Sequence, residues 1–351
     1  MVIPAEDKKD IKSFLLEELT SYCEQNGLAR YTAKQVFSWI YQKRHEDFDA
    51  MSNLSVATRQ FLKNKFYFST LKILKREASS DGTEKLLFGL QDNSAIEAVL
   101  IPEVSRYTLC VSSQVGCKYK CAFCLSGVTG FCRNLSISEI VNQYLESIAI
   151  AKPRVITNIV FMGVGEPLDN FSNLVGAIKI LMASEGLVLG KRRICISTCG
   201  LPLQIKKLAT LKLGIKLSVS LHSAIDAIRD KIMPVNKKYP LSELMQAVKE
   251  YSNSEQYPVT FEYALLKGVN ASRDDALKLA ALLRGVQCKL NLIPYNKSSL
   301  NFLAPTVVEI AEFSAILEKR GIFFTLRKPR GEDINAACGQ LRALIPGKGG
   351  Q

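Results

Sequence analysis

From Tyr107 onward the chain alternates short apolar runs with longer amphipathic ones, and this alternation limits the folds open to it. Strand-like runs occupy 108–113, 156–162, 192–197, 215–220, 258–265 and 288–293, and a seventh, Phe323-Phe324-Thr325-Leu326, closes the series. Helical spacing fills the intervals at 136–150, 171–183, 201–211, 241–252, 273–284 and 306–319. Repeated strand–helix units with apolar strands imply a parallel sheet covered by helices. Six such units predict an α/β fold built as an incomplete (β/α)6 barrel, extending over 107–345.

Two different textures precede the barrel. Ile11, Phe14, Leu15 and Leu19 follow helical spacing, and Gly27 ends that segment. Thr32 is placed to cap a second helix with Val36, Trp39 and Ile40 inward, and Ser52 or Ser55 a third with Phe61, Leu62 and Phe66 inward. Residues 1–69 therefore read as a small helical accessory domain. Residues 70–106 then switch to strand periodicity, with turns at Ser80-Asp81-Gly82 and Gln91-Asp92-Asn93, and read as a β-meander linking the two.

Parallel barrels carry their chemistry on loops at the C-terminal ends of the strands. Five polar motifs fall there. The first strand runs into Cys117, Cys121 and Cys124, and the second ends in Gly163-Val164-Gly165-Glu166. The others end in Ser197-Thr198, in Ser220-Leu221-His222 and in Pro294-Tyr295-Asn296. All five are expected to face one cavity. Gly165 permits close backbone approach, and Glu166 offers a carboxylate that suits an ammonium group.

The spacing C-x3-C-x2-C lets three thiolates converge on one inorganic centre. Three cysteines can hold an iron–sulfur cluster with one iron left free. A structural zinc site normally draws on a second C-x2-C pair, which this sequence lacks. Cys338 follows Arg327-Lys328-Pro329-Arg330-Gly331. A thiol on a mobile loop beside such cations is expected to ionise more easily. Cys110, inside the first strand, reads on its own as a small buried hydrophobe, and Glu97 as an exposed strand residue.

The net charge of +13 favours a polyanionic partner. Residues 1–69 hold ten Lys and Arg against nine Asp and Glu, so the surplus lies almost wholly on the part that carries the cysteines. No apolar run reaches membrane-spanning length, and Met1 to Asp10 is unlike a signal peptide. Ten cysteines without an export signal point to the reducing cytoplasm.

The three-cysteine motif resembles that of the radical S-adenosylmethionine (SAM) enzymes. Four further stretches narrow the likeness: Val111-Ser112-Ser113-Gln114-Val115-Gly116-Cys117, Gly130-Phe131-Cys132-Arg133-Asn134-Leu135, Met162-Gly163-Val164-Gly165-Glu166-Pro167-Leu168 and Ala336-Ala337-Cys338-Gly339-Gln340-Leu341. From about Glu97 to Leu341 the chain resembles the RlmN/Cfr family of RNA adenine methyltransferases. Leu125-Ser126-Gly127 departs from the family pattern, in which a small residue usually follows the third cysteine.

The resemblance implies a 4Fe–4S cluster on Cys117, Cys121 and Cys124, with SAM, two per turnover, contacted by Gly165, Glu166, Ser197, Ser220, Leu221, His222 and Asn296. It implies that Cys338 is methylated by a first SAM and that a 5′-deoxyadenosyl radical then activates the S-methyl group. The methylene joins the adenine, and a Cys338–Cys110 disulfide releases the product, with Glu97 as proton acceptor. It also implies adenine 2503 of 23S rRNA and adenine 37 of tRNA as targets, and an electron donor such as flavodoxin. Gly165-Glu166-Pro167-Leu168 and Ser113-Gln114-Val115-Gly116-Cys117 are closer to the branch that methylates C2 than to the one that methylates C8. The competing readings are a radical SAM enzyme acting on a non-RNA substrate and a zinc-stabilised RNA-binding module.

Overall fold

Residues 9–68 close on themselves before the barrel begins. In the computed structural model, which describes residues 8–255, 257–296 and 298–346, β1 (Lys9–Asp10) pairs in parallel with β2 (Phe66–Tyr67). Between them lie α1 (Leu16–Gln25), α2 (Tyr31–Phe37) and α3 (Val56–Lys65). Val36, Trp39, Ile40, Leu62 and Phe66 are buried as their spacing requires. Ser55 caps α3, its hydroxyl accepting the Thr58 N–H at 3.1 Å. Thr32 does not cap: α2 begins one residue earlier and buries it. The first helix also starts later than expected, because Ile11–Ser13 forms a 3-10 turn capped by Asp10.

A ten-stranded sheet forms the body. Its strands are β3 (Lys72–Ala78), β4 (Glu84–Gly89), β5 (Ala95–Pro102), β6 (Arg106–Cys110), β9 (Val155–Phe161), β10 (Ile194–Thr198), β11 (Lys216–Ser220), β12 (Val259–Leu265), β13 (Cys288–Pro294) and β14 (Phe324–Leu326). The numbers missing from that series belong to a separate hairpin, β7 (Gln114–Gly116) with β8 (Phe131–Asn134). From β6 through β14 the neighbours run parallel in sequence order. The stretch expected as a linker is not separate: β3, β4 and β5 add to the same sheet, antiparallel, along the free edge of β6. Outer β3 is mostly exposed, whereas β5 is buried almost throughout, which is why its sequence is apolar apart from Glu97.

The crossover helices are α5 (Ile137–Ala151), α6 (Phe171–Met182), α7 (Pro202–Thr210), α9 (Leu241–Ser254), α10 (Arg273–Leu283) and α11 (Val307–Lys319), with short α4 (Leu125–Val128) and α8 (Asp226–Ile232) inserted in loops. Ser136 and Glu139 make a capping box that starts α5, and Thr306 with Glu309 does the same for α11. The first strand ends three residues earlier than expected. The Gln143 side chain on α5 binds both the N–H of Ser112 at 2.8 Å and its carbonyl at 2.9 Å, taking over the pairing a strand would supply. The chain then turns outward into the hairpin. Gly116 holds φ at +79°, and a Cβ there would lie 1.7 Å from the Gly130 carbonyl oxygen, so only glycine closes the hairpin base.

One buried cation ties the helical module to the barrel. Lys12 is fully buried, and its ammonium donates to the Ser69 carbonyl at 2.8 Å, to Asn142 on α5 at 2.9 Å, and to Glu46. Removing it leaves those acceptors without their donor. Lys12→Ala is expected to lower unfolding stability by about 3 kcal/mol in chemical denaturation, and to make residues 9–68 the first segment released by limited proteolysis.

Candidate active site

The C-terminal ends of the parallel strands surround a cavity that opens to solvent. Cys117, Cys121, Cys124, Gly165, Glu166, Ser197, Ser220, His222, Asn296 and Cys338 all line it. Leu221 does not. Its side chain is fully buried, its N–H goes to the Glu262 carbonyl, and its carbonyl accepts from Arg229. Alternation along the chain points Ser220 and His222 inward and sends the residue between them into the core.

The three cysteines sit on a loop pinned at several points. The Cys117 N–H reaches the Gly130 carbonyl at 2.9 Å, the Ala122 N–H the Ile232 carbonyl at 2.9 Å, and the Leu125 N–H the Gly339 carbonyl at 2.8 Å. Lys118 forms an ion pair with Asp169 at 2.7 Å, and the Tyr119 hydroxyl donates to the same carboxylate at 3.2 Å. Burial pushes the Cys117 thiol up to about 12 and raises Cys121 and Cys124 as well. A metal that binds here must displace these protons. Among the described residues no three His, Cys, Asp or Glu side chains converge on a single-ion position. Three thiols around one wide cavity suit a multi-iron cluster, and the closed zinc site has no support in this donor set.

Gly163 brings the next loop against the first strand: a Cβ would lie 2.7 Å from the Val111 carbonyl carbon. Glu166 is buried, and burial raises its carboxyl above the usual range. Its two oxygens accept from the Leu168 N–H at 3.0 Å and the Cys199 N–H at 2.7 Å. The carboxylate expected to wait for an ammonium group is thus already an anchor of its own loop, and a ligand shares its remaining lone pairs. Asn296 is left with a buried carbonyl oxygen that has no partner, while its amide donates to the Cys338 carbonyl at 3.3 Å. That orphan acceptor is the feature that best fits a donor-bearing nucleoside in this wall.

His222 holds φ at 53°, and its Nδ1 accepts the Ala264 N–H at 2.8 Å. Nε2 therefore carries the proton and faces the cavity as a donor. Burial, with the nearby Arg229, pushes the imidazole down to about 3, so it stays neutral in the folded protein.

The segment after β14 brings Cys338 to the mouth. Gly339 and Leu341 bond to the cysteine loop, and Leu344 pairs with Ala95, so the segment just beyond the thiol is fastened to two neighbours, in place of the mobile loop expected. Cys338 remains exposed to the cavity, but desolvation by the surrounding wall pushes its thiol up against the pull of Arg327. The expected easing of ionisation is outweighed. Cys110 is buried behind it, pushed up to about 12 by burial and next by the proximity of Cys338; both are free thiols. Glu97 does not line the cavity. It is buried, accepts the Arg342 N–H at 2.9 Å and lies 3.5 Å from the Lys85 ammonium, and burial raises its carboxyl. Arg229 and Glu262 went unnoticed in the sequence, and Cys199, which read as a packing residue or incidental thiol, lines the cavity and gives its N–H to Glu166. For Glu262 the signal was a carboxylate in an otherwise apolar strand.

Residues 9–68 match the profile of the ribosomal RNA large subunit methyltransferase N-terminal domain, and residues 111–280 that of the radical SAM superfamily. The chain is 44% identical over 340 residues to the dual-specificity RNA methyltransferase RlmN of Geotalea uraniireducens, covering 97% of this chain and 98% of that protein. It is 43% identical over 350 residues to the RlmN of Campylobacter hominis, covering 95% and 97%. The crystal structure of a radical SAM methyltransferase from Sphaerobacter thermophilus superposes with a TM-score of 0.89 at 41% identity, over 95% of this chain and 99% of that one. Fold and cysteine loop together define a radical SAM enzyme, whose cofactors are a 4Fe–4S cluster and SAM. Within that class the chain belongs to the RlmN family.

The neutral His222 has a consequence for stability. An unfolded histidine binds a proton near pH 6.5, while the folded one resists until about 3. Stability is therefore full above pH 6.5 and falls as pH drops through that window. Between pH 7 and pH 5 the loss from this residue is about 2 kcal/mol. His222→Asn, which tolerates the same backbone conformation, is expected to remove that part of the pH dependence in denaturation curves taken at the two pH values.

Proposed function

We propose that this protein methylates C2 of an adenine in RNA, with adenine 2503 of 23S rRNA and adenine 37 of tRNA as its targets. The observation that carries this reading is the thiol pair: Cys338 exposed at the cavity and Cys110 buried behind it. A radical SAM enzyme acting on a small molecule needs no such pair, whereas a carrier thiol with a second thiol behind it suits a methyl group that travels through the protein.

In this reading Cys117, Cys121 and Cys124 hold the cluster, and Gly165, Glu166, Ser197, Ser220, His222 and Asn296 hold SAM. When bound, these cofactors supply a methyl group and a radical able to remove hydrogen from an unactivated C–H bond. The protein supplies position. The neutral His222 donates from Nε2, and Asn296 offers its free oxygen. Cys338 loses its thiol proton, carries the one-carbon unit and presents it to a base turned out of its stack. Cys110 then gives up its proton and attacks the Cys338 sulfur. The S–S bond forms as the S–C bond breaks, the proton once on C2 is lost to solvent, the departing carbon takes up a proton to become the methyl group, and the odd electron passes to the external redox partner. A reductant such as flavodoxin supplies the cluster's electron. Glu97 stands outside the cavity wall, so its contacts favour fixing Arg342, and with it the Cys338 segment, over direct contact with the base. No helix among the described residues is long and apolar enough to cross a membrane, and we place the enzyme in the cytoplasm.

Nucleoside mass spectrometry of RNA treated with reconstituted enzyme tests the reading. The expected product is 2-methyladenosine; 8-methyladenosine or no product overturns it. Cys338→Ala is expected to bind SAM normally and to give no methylated adenosine. Lys328, exposed beside the mouth, is placed to touch phosphate. Lys328→Ala is expected to weaken binding of all RNA sequences alike and to lower the slope of log affinity against log salt by about 1 in filter-binding titrations.

A further inference from the structure

β12 places a carboxylate inside the barrel where every neighbour along the strand is apolar or hydroxylic. Glu262 is 6% exposed and lines the cavity. One oxygen accepts from the Ser218 hydroxyl at 2.7 Å and from the Asn291 amide at 3.0 Å, which fixes the orientation of the group. The other oxygen, Oε2, is buried and has no hydrogen-bond partner. Arg327, the residue after β14, lines the same cavity. Its N–H is held by the Leu292 carbonyl at 2.9 Å, and its Nη1 stands 4.0 Å from Glu262 Oε2, too far for a hydrogen bond. No hydrogen bond involves the guanidinium among the described residues.

Glu262 and Arg327 face each other as an ion pair with no hydrogen bond between them, so the buried oxygen and the part-exposed guanidinium each keep hydrogen-bonding capacity for a ligand. The pattern, acceptor next to donor, is complementary to an amine adjacent to a ring nitrogen. That is the Watson–Crick edge of an amino base, with the exocyclic amine at C6 of adenine beside N1. We propose that Glu262 accepts from the exocyclic amine of the target adenine and that Arg327 donates to its N1. The inference rests on the RNA adenine methyltransferase reading and adds the residues that choose the base.

The pair adjoins part of the SAM set, since Ser220 ends β11, His222 follows it and Asn296 follows β13, so SAM affinity in the variants is the measurement that assigns the pair to the base. The cluster cysteines, Gly165 and Glu166 follow the first two parallel strands. Glu262 and Arg327 belong to β12 and to the end of β14, on the side from which Cys338 enters. Both act electrostatically on the Cys338 thiol, Arg327 lowering and Glu262 raising it, so they stand close to the atom that must meet the base. The pair also bears on reactivity. A guanidinium hydrogen bond at N1 draws electron density from the adjoining C2, the carbon that accepts the methylene. Guanine, uracil and hypoxanthine present a carbonyl beside a ring N–H at this edge. They would set a lone pair against Glu262 and a donor against Arg327, a mismatch that a site built from buried polar groups rejects strongly. Cytosine offers the same edge as adenine, so the pair selects amino bases from oxo bases and leaves the choice of purine to the shape of the cavity.

The test uses the full-length, cluster-reconstituted enzyme and RNA carrying adenine or hypoxanthine at the target position. Glu262→Gln keeps the shape and can still accept from Ser218, but its amide can donate to the hypoxanthine carbonyl. Methylation of adenine is expected to fall about 30-fold, that of hypoxanthine to rise, and SAM affinity by equilibrium dialysis to stay unchanged. Arg327→Lys, a rim change that leaves the buried Ser218–Glu262–Asn291 contacts in place, is expected to lower adenine turnover about 10-fold with the same SAM affinity. A preference for adenine that survives Glu262→Gln, or SAM affinity falling in step with turnover, overturns the inference. If the wild-type enzyme methylates no RNA adenine, the parent reading fails and this one with it. An active wild type with an unchanged base preference in the variant defeats this one alone.

Discussion

A single buried guanidinium holds the mouth of the barrel in shape. Parallel strands that stop at a cavity leave carbonyls with no neighbour to pair with, and buried carbonyls need donors. Arg229 is fully buried and answers four acceptors at once: the carbonyls of Cys199 at 2.8 Å, Ser220 at 3.1 Å and Leu221 at 3.0 Å, and the Asn236 side chain at 2.8 Å. It thereby stitches the end of β10 to the end of β11. Its helix, α8, ends at Ile232, whose carbonyl receives the Ala122 N–H between two of the cluster cysteines. The Cys199 N–H in turn anchors Glu166. Cluster loop, Glu166 loop and the Ser220–His222 loop therefore share one fixed point. Lysine could not replace it, since an ammonium lacks the planar fork that reaches several carbonyls at once.

The opposite wall is closed by the C-terminal segment, and here the three antiparallel strands acquire their purpose. β5 supplies Ala95, which pairs with Leu344, and Glu97, which takes the Arg342 N–H. On the barrel side Ser126 donates to the Leu341 carbonyl at 2.6 Å. The segment following Cys338 is thus held between the edge of the sheet and the cluster loop, and the Asn296 amide holds the Cys338 carbonyl itself. Burying Cys110 one strand inward, in register with Val99 of β5, puts the second thiol where solvent does not reach it.

Most of the barrel was legible in the sequence because its signals are local. An apolar strand covered on both faces must be a continuous run, and each crossover helix carries its own stripe and cap. What escaped depends on partners distant in the chain. The pairing of β3 to β5 with β6 cannot be read from periodicity, which reports a strand but not its neighbour. Helix α8 spans only seven residues, too few to show a stripe. Leu221 came with Ser220 and His222 from the family resemblance, although the alternation of side chains along an extended chain sends its side chain into the core. The behaviour of the Cys338 thiol turned on desolvation by a wall made of several loops, while the sequence displayed only the nearby cations. Glu97 shows the converse: its position was identifiable, but its engagement with Arg342, more than two hundred residues away in the chain, was not.

The cavity finally joins two kinds of polar group that ordinary cores keep apart. Some act as scaffolding, as Arg229 does with its four acceptors. Others keep an atom in reserve: the carbonyl oxygen of Asn296 and Oε2 of Glu262 are buried with nothing to accept from. An unsatisfied buried acceptor is costly, and it persists only where neighbours leave it no alternative orientation. Asn296 is held by the Cys338 carbonyl, and Glu262 by Ser218 and Asn291. The scaffolding groups fix the walls, and the reserved atoms then have a defined place from which to select a ligand. A ligand that supplies donors at both points recovers the desolvation cost already incurred in folding. One that does not leaves the cost in place, and that difference is what selectivity in this cavity rests on.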